Sequence, residues 1–306
     1  MAAYPAAVHI RDVGPRDGLQ NESPIPIGDR VRLIDALAHT GLRRIEAVSF
    51  VRADAIPAMA GAEEVMAQIE RVPTVRYGVL VPNLRGAQRA LETGPDDIEV
   101  VVSASETHNQ RNVRRSVDES LNDIEALASL ATDAGIPVEA IVSTSFGCPY
   151  EGDIAPKRVA DLARRLLDLG VTSLSFGDTT GMATPRRVHD VLDALDAVGC
   201  DVGEIGLHFH DTRGTGLANV LTGLERGVTH FDASIGGLGG CPYAPGASGN
   251  IVTEDLVHML DDMDIDTGVD LDALLDAAKL AQSIAGRELP SALLRAGPRL
   301  PSSGAS

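Results

Sequence analysis

Residues 138–176, VEAIVSTSFGCPYEGDIAPKRVADLARRLLDLGVTSLSF, read as a strand, a helix and a second strand. The short apolar run Val138–Ser143 is typical of a buried strand, and the amphipathic run Lys157–Leu169 is typical of a helix. Gly170 follows this run as a helix stop signal and precedes the next apolar run, Ser173–Phe176. The stretch therefore predicts two strands joined by a crossover helix, the unit of a parallel sheet.

The same unit recurs along the whole chain. The strand candidates are Val8–Val13, Arg44–Phe50, Val75–Val81, Ile98–Ser103, Val138–Ser143, Ser173–Phe176, Ile205–His210 and His230–Ile235. The clearest helices are Asp29–His39, Val117–Ala134, Lys157–Leu169 and Leu217–Arg226. Strict alternation of strands and helices predicts an α/β protein, a (β/α)8 TIM barrel. An open doubly wound sheet is the alternative, but the chain has no dinucleotide-binding glycine fingerprint.

The predicted barrel accounts for most of the chain. We expect one TIM-barrel catalytic domain over residues 1–306, with the barrel at about 8–262 and a C-terminal helical extension at about 268–290. The additional helix is predicted at 270–286, and the tail 298–306 is expected to be disordered. Catalytic side chains of such barrels lie at the carboxyl ends of the strands. Motifs that carry the chemistry are therefore expected directly after the predicted strands.

Composition limits the classes of partner. A formal net charge of −18 argues against nucleic acid and anionic membranes as partners. The three cysteines, Cys148, Cys200 and Cys241, are an odd number at wide spacing, which does not indicate a disulfide framework. No segment reads as a signal peptide or membrane span, so we expect a reduced, cytoplasmic protein.

Strand seven ends in the His-x-His motif GLHFHDT. Because side chains alternate along a strand, His208 and His210 share one face and form a candidate pair of metal ligands. Asp17, in DVGPRDGLQNE after strand one, lies at the same end of the predicted barrel. A carboxylate and two histidines form a common site for a divalent ion. The alternatives are two buried histidines bonded to neighbouring polar groups, and a turn or surface ion pair for Arg16 and Asp17.

A glycine-rich segment, GGLGGCPYAPGASGN, follows strand eight from Gly236 to Asn250. Cys241 stands at its centre, where a thiol could reach the mouth of the barrel and act as an acid or base. The alternative is a flexible loop with an incidental cysteine. Asn250 offers an amide oxygen as a further metal ligand, or it is the N-cap of the next helix.

These segments together resemble the 3-hydroxy-3-methylglutaryl-CoA lyase family of the DRE-TIM metallolyase superfamily. The similarity extends from about Val8 to Ala285 and is carried by VGPRDGLQNE, IEAVSFV, GCPYEG, GDTTGMATP, HFHDT, GLGGCPYAPGASGN and TEDLV. The resemblance implies a magnesium or manganese ion held by Asp17, His208, His210 and Asn250. It also implies a catalytic arginine at Arg16, a loop cysteine at Cys241 and active-site acids at Glu46 and Asp178. A homodimer is implied as well.

The implied reaction is a retro-Claisen cleavage of 3-hydroxy-3-methylglutaryl-CoA to acetyl-CoA and acetoacetate, as in leucine catabolism. Arg16 would stabilise the departing enolate, Cys241 would protonate it or assist the proton relay, and Asp17 or Glu46 would serve as the base. Arg111, Arg114 and Arg115 after strand four are candidates for binding the CoA phosphates, with a solvated helix start as the alternative. Gln20 is a further candidate for contact with substrate or CoA.

The sequence departs from typical members of the family at Arg213 and Thr215, where Tyr and Gln are usual. This difference keeps a citramalyl-CoA lyase open as an alternative. A condensing synthase of the same superfamily fits less well, since no long regulatory domain follows residue 286. A non-catalytic protein that binds metal or acyl-CoA is the alternative from another class.

Overall fold

The computed structural model describes residues 4–240 and 249–299 of the chain. Its centre is a closed barrel of eight parallel strands that follow one another in chain order. The strands are β1 His9–Asp12, β2 Arg44–Ser49, β3 Arg76–Leu80, β4 Asp97–Ser103, β5 Val138–Ser143, β6 Ser173–Gly177, β7 Gly206–His208 and β8 His230–Ala233. The TIM-barrel prediction is confirmed, and the open-sheet alternative is wrong because β8 pairs with β1.

Helices surround the barrel and pack on it and on one another. Those in the described residues are α1 Ile27–Ala38, α2 Ala62–Gln68, α3 Leu84–Leu91, α4 Glu106–Val113, α5 Val117–Asp133, α6 Pro156–Asp168, α7 Pro185–Ala197, α8 Gly216–Glu225, α9 Thr253–Asp262, α10 Leu271–Ala285 and α11 Ala292–Ala296. None of these helices is long and apolar enough to span a lipid bilayer.

The last two strands, β7 and β8, each end two residues earlier than the sequence predicts. β7 stops at His208 instead of His210, and β8 stops at Ala233. Beyond these points the chain leaves the barrel and forms isolated bridges with the segment that returns from residue 249: His210 with Asn250, and Ser234 with Val252. This segment therefore lies directly against the carboxyl end of β7.

The barrel interior contains buried charged side chains. Arg11, Glu46, Glu99, Glu139 and Asp232 are each no more than 5% exposed. Charges this deep are costly unless they are paired, and Arg11 Nη1 lies 2.7 Å from Glu99 Oε1 and 2.6 Å from Glu139 Oε1. Burial and the neighbouring charge of Glu46 raise the pKa of Glu99 well above its ordinary value, which favours its protonated form.

A buried carboxyl at the end of β1 connects the elements that carry the site. Asp12 Oδ1 accepts a hydrogen bond from the Gly14 amide at 2.8 Å, and its Oδ2 accepts one from Thr253 Oγ1 at 2.7 Å. These contacts join the turn after β1 to the first residue of α9. Complete burial raises the pKa of Asp12 to about 7.

The raised pKa predicts a pH-dependent stability. As pH rises from about 4 to about 7, the unfolded chain releases the Asp12 proton while the folded chain keeps it, so stability falls across this window. We expect Asp12→Asn, which keeps the shape of the group, to reduce this slope by up to about 1.4 kcal/mol per pH unit. Urea unfolding from pH 4 to 8 measures it. Asp54→Asn, at an exposed acid, serves as the control. An Asp12→Asn slope equal to that of the wild type would contradict the prediction.

Candidate active site

The turn after β1 brings Asp17 to the carboxyl end of the barrel. Residues Gly14–Gly18 form a single π-helical turn. Gly18 is required there, because a Cβ atom at this position would lie 2.7 Å from the Leu238 Cβ and 2.9 Å from the Ser234 Oγ. The turn can therefore pack against the segment after β8, which places Asp17 over the barrel mouth.

Asp17 is the centre of a polar cluster. Its Oδ1 accepts hydrogen bonds from Arg16 Nη1 at 2.9 Å and Gln20 Nε2 at 2.7 Å. Its Oδ2 accepts one from Asn250 Nδ2 at 2.7 Å. Burial alone would raise the pKa of Asp17, but the charge of Arg16, followed by that of His208, lowers it below its ordinary value. Asp17 is therefore held as a carboxylate.

His208 and His210 face this carboxylate. Their Nε2 atoms are 3.2 Å apart, although their rings are tilted by 53°. Asp17, His208 and His210 each offer a ligand atom, and these atoms all lie within 4.8 Å of one another. Burial, followed by the neighbouring His208, lowers the pKa of His210 to about 3, so this ring is neutral at neutral pH. The described residues thus contain a group with the donor types of a divalent-metal site.

Asn250 closes the cluster on the side of the returning segment. It is 1% exposed, and its amide nitrogen also donates to the Leu238 carbonyl at 3.2 Å. Its buried Oδ1 has no hydrogen-bond partner among residues 4–240 and 249–299. The N-cap alternative is wrong, because α9 begins at Thr253 with Val252 in the capping position.

Arg16 lies beside the cluster, and Glu46 of β2 contacts its guanidinium from the barrel interior. Its Nε is 2.7 Å from Glu46 Oε1, and the Arg16 and Glu46 side chains are 9% and 0% exposed. The Arg16–Asp17 pair is therefore a largely buried contact and not a surface ion pair. Burial alone would lower the pKa of Arg16, but the charges of Glu46 and Asp17 raise it above its ordinary value. A fixed positive charge thus faces the mouth.

Asp178 follows the end of β6 beside the two histidines. Its Oδ1 accepts hydrogen bonds from the amides of Met182 and Ala183 at 2.7 and 2.9 Å. Its own amide donates to the His208 carbonyl at 2.8 Å. Burial raises the pKa of Asp178 to about 7. The structure therefore brings this sequence-predicted acid to the same end of the barrel as Asp17.

Comparison with known proteins matches both sequence and fold. The family profile described as HMGL-like matches residues 7–281. The chain belongs to the HMGL-like family. A hydroxymethylglutaryl-CoA lyase of Bacillus subtilis is 50% identical over 290 residues, which are 94% of this chain and 96% of that protein. The family resemblance predicted from the sequence is confirmed.

Solved structures of this family are similar over nearly their full length. The crystal structure of a B. subtilis HMG-CoA lyase has a TM-score of 0.94 at 49% identity and covers 95% of this chain and 98% of its own. An Acinetobacter baumannii HMG-CoA lyase, solved with coenzyme A and 3-methylmalate, has a TM-score of 0.93 at 40% identity and covers 100% of both chains.

The three arginines that are predicted to bind the CoA phosphates lie on helix α4 or directly after it. Arg111 lies on α4 with its guanidinium carbon 4.3 Å from the centre of the Tyr150 ring. Arg114 caps α4 in the left-handed conformation. Arg115 pairs with Asp123 at 2.8 Å, an exposed contact that favours the solvated-surface alternative for this residue. Cys241 lies outside the described residues.

Sequence reasoning missed one residue that contacts the cluster. Asp232, on β8, has its Oδ2 3.2 Å from His208 Nδ1. The only available signal was an acidic residue inside a predicted strand, since a charge there must be paired when it is buried. A pattern of this kind does not indicate which residue provides the partner.

Proposed function

We propose that this chain is a divalent-metal-dependent lyase that cleaves 3-hydroxy-3-methylglutaryl-CoA to acetyl-CoA and acetoacetate. The observation that carries the proposal is the group of Asp17, His208 and His210 at the barrel mouth, with the cationic Arg16 beside it. Hydroxymethylglutaryl-CoA lyases that are 44 to 50% identical over most of the chain support the choice of reaction. Such a step belongs to leucine degradation.

The donor set fits magnesium or manganese. Asp17, His208, His210 and the Oδ1 of Asn250 would hold the ion, and the buried Oδ1 without a partner in the described residues supports the fourth position. Carboxylate, amide and imidazole ligands with room for water or substrate oxygens suit these ions. A bound ion of this kind polarises substrate oxygens and lowers the pKa of a coordinated hydroxyl.

We assign proton transfer and charge stabilisation in this reaction to separate side chains of the protein. A carboxylate accepts the proton of the tertiary hydroxyl, the C2–C3 bond breaks, and the electron pair moves into the acetyl-CoA enolate. Glu46 is fully buried against Arg16, so we assign it to holding that guanidinium and not to the base. Asp17 remains the sequence-predicted candidate for the base, and we add Asp178, whose pKa burial raises to about 7, as a second candidate. Arg16 stabilises the negative charge that develops on the thioester oxygen.

Cys241 is proposed to protonate the enolate carbon. Although it lies outside the described residues, both flanks of its segment are near the mouth. On one side, Asn21 donates to the Gly240 carbonyl at 3.4 Å. On the other side, Gly249 accepts from the Asp211 amide at 2.8 Å and precedes Asn250. The positions of these two flanks support the assignment of this proton transfer to Cys241.

The CoA moiety is proposed to bind along the mouth. Arg111 and Arg114 remain candidates for its phosphates, because Arg clusters favour phosphate, whereas Arg115 is paired with Asp123. Gln20 contacts Asp17 in this structure, which supports a place for it at the substrate end. The homodimer and the cytoplasmic location stay predictions from the sequence.

The direct test incubates the purified protein with candidate acyl-CoAs and follows free acetyl-CoA. We expect cleavage of 3-hydroxy-3-methylglutaryl-CoA with formation of equimolar acetoacetate. Treatment with EDTA should abolish turnover, and Mg²⁺ or Mn²⁺ should restore it. Full activity after chelation would remove the metal from the proposal.

Assays with other substrates distinguish this lyase from a citramalyl-CoA lyase, a condensing synthase and a non-catalytic binding protein. Preferential cleavage of citramalyl-CoA would change the proposed substrate while keeping the chemistry. Arg213 could contribute to such a change, since its Nη1 donates to the Thr180 and Gly181 carbonyls beside Asp178. Net condensation of acetyl-CoA with a keto acid would instead indicate a synthase. Binding without turnover of any acyl-CoA would favour a non-catalytic protein.

A further inference from the structure

Asp232 connects the predicted metal ligand His208 to a buried arginine. Its Oδ2 is 3.2 Å from His208 Nδ1. In the barrel interior, Arg11 donates to both Asp232 carboxylate oxygens, from Nε to Oδ1 at 2.8 Å and from Nη2 to Oδ2 at 2.7 Å. Arg11 and Asp232 are only 4% and 5% exposed. The carboxylate is therefore fixed on one side while it faces the histidine on the other.

The strand register places these three side chains in one row. Asp232 of β8 is the register partner of His208 on β7 and of Arg11 on β1. Parallel strands in register direct such side chains to the same side of the sheet. Closure of the barrel between β8 and β1 is thus what completes the row.

The contact determines which nitrogen of His208 carries a proton. A carboxylate beside Nδ1 favours hydrogen at that atom, which leaves the Nε2 lone pair free. Nε2 is the atom that faces His210, at 3.2 Å from its Nε2. A metal ligand needs this lone pair, and a carboxylate behind the ring also raises its basicity.

We propose that Asp232 is a positioning residue that holds His208 in the tautomer and orientation needed for metal binding, and that Arg11 fixes Asp232 by its two parallel hydrogen bonds. The inference rests on the metal site of the proposed function. Bidentate arginine–carboxylate pairs are geometrically specific, so Arg11 restrains rotation of the carboxylate. Glu99 and Glu139 contact the guanidinium at Nη1, the nitrogen that does not bond Asp232.

The test measures binding of Mn²⁺ to the metal-free protein by electron paramagnetic resonance, without substrate. Asp232→Asn preserves the shape of the residue, but its amide can donate to Nδ1 and favour a proton on Nε2. We expect Mn²⁺ binding to weaken by about 10–100-fold. Glu139→Gln is the matched control, because it removes an equally buried carboxylate from Arg11 and leaves the Asp232–His208 contact intact. Its Mn²⁺ affinity should stay close to that of the wild type.

The outcomes separate this inference from the proposed function. A wild-type protein that binds no Mn²⁺ would overturn both. Wild-type binding with undiminished affinity in Asp232→Asn, or with an equal loss in Glu139→Gln, would overturn the role of Asp232 alone. If Asp232→Asn does not fold, ¹⁵N NMR of the metal-free wild type at alkaline pH determines which ring nitrogen of His208 carries the proton. The His208 signals are assigned by their absence from the spectrum of His208→Gln. A proton on Nδ1 supports the inference, and a proton on Nε2 overturns it.

Discussion

Replacing Arg16 with Gln is expected to lower kcat by at least ~100-fold. The guanidinium is held at the barrel mouth by Glu46 below it, at 2.7 Å, and by Asp17 beside it, at 2.9 Å. Because the Arg16 side chain is only 9% exposed, its charge is weakly screened by water and interacts strongly with negative charge that develops during the reaction. Glutamine keeps hydrogen-bonding capacity but removes the charge. Steady-state turnover of 3-hydroxy-3-methylglutaryl-CoA at saturating Mg²⁺ measures the effect.

Arg44→Gln is the matched control for this variant. Arg44 lies at the opposite, amino-terminal end of the barrel and also pairs with buried acids, 3.5 Å from Asp97 and 3.2 Å from Glu139. Its removal is expected to reduce stability and leave kcat near the wild-type value. If Arg16→Gln also turned over near the wild-type rate, Arg16 would not stabilise the enolate. If the two variants lost kcat equally, the loss would reflect damage to the barrel and not missing charge at the mouth.

Local sequence patterns predicted the barrel well because each strand and helix carries its own signal. Glycines such as Gly41 and Gly170 end helices and have positive φ values of 91° and 90°, as expected of helix stop signals. The short helix α4, Glu106–Val113, was missed because its sequence, ETHNQRNV, has almost no apolar periodicity. Its N-cap, Ser105, which accepts from the His108 amide, was the available signal.

The site was predictable to the extent that its residues occur in short motifs. His208 and His210 alternate along one segment, and Asp17 follows a strand whose end faces the same mouth. The Arg11–Asp232 contact joins residues 221 positions apart, so it depends on how the first and last strands pair. Such partners are set by barrel closure and register, which local periodicity does not encode.

Replacing His210 with Ala is expected to lower kcat/KM by at least about 1000-fold, because a metal supplies several kcal/mol of transition-state stabilisation that would be lost. His210 is 6% exposed, its Nε2 faces His208 Nε2, and one of its ring nitrogens lies within 4.8 Å of an Asp17 carboxylate oxygen. The variant removes one proposed ligand and opens a space the size of the ring. Imidazole added in solution should therefore occupy that space and restore part of the Mn²⁺-dependent turnover.

His230→Ala distinguishes loss of a ligand from loss of a barrel histidine. His230 lies at the start of β8, at the other end of the barrel, with its ring 5.0 Å from that of His9. We expect this control to keep wild-type metal dependence and to show no response to imidazole. Rescue of His210→Ala alone would locate the metal between β7 and the turn after β1. Metal-dependent turnover at the wild-type rate in His210→Ala would instead require the ion to bind elsewhere, and Asp17, His208 and Asn250 would then lose their proposed role as ligands.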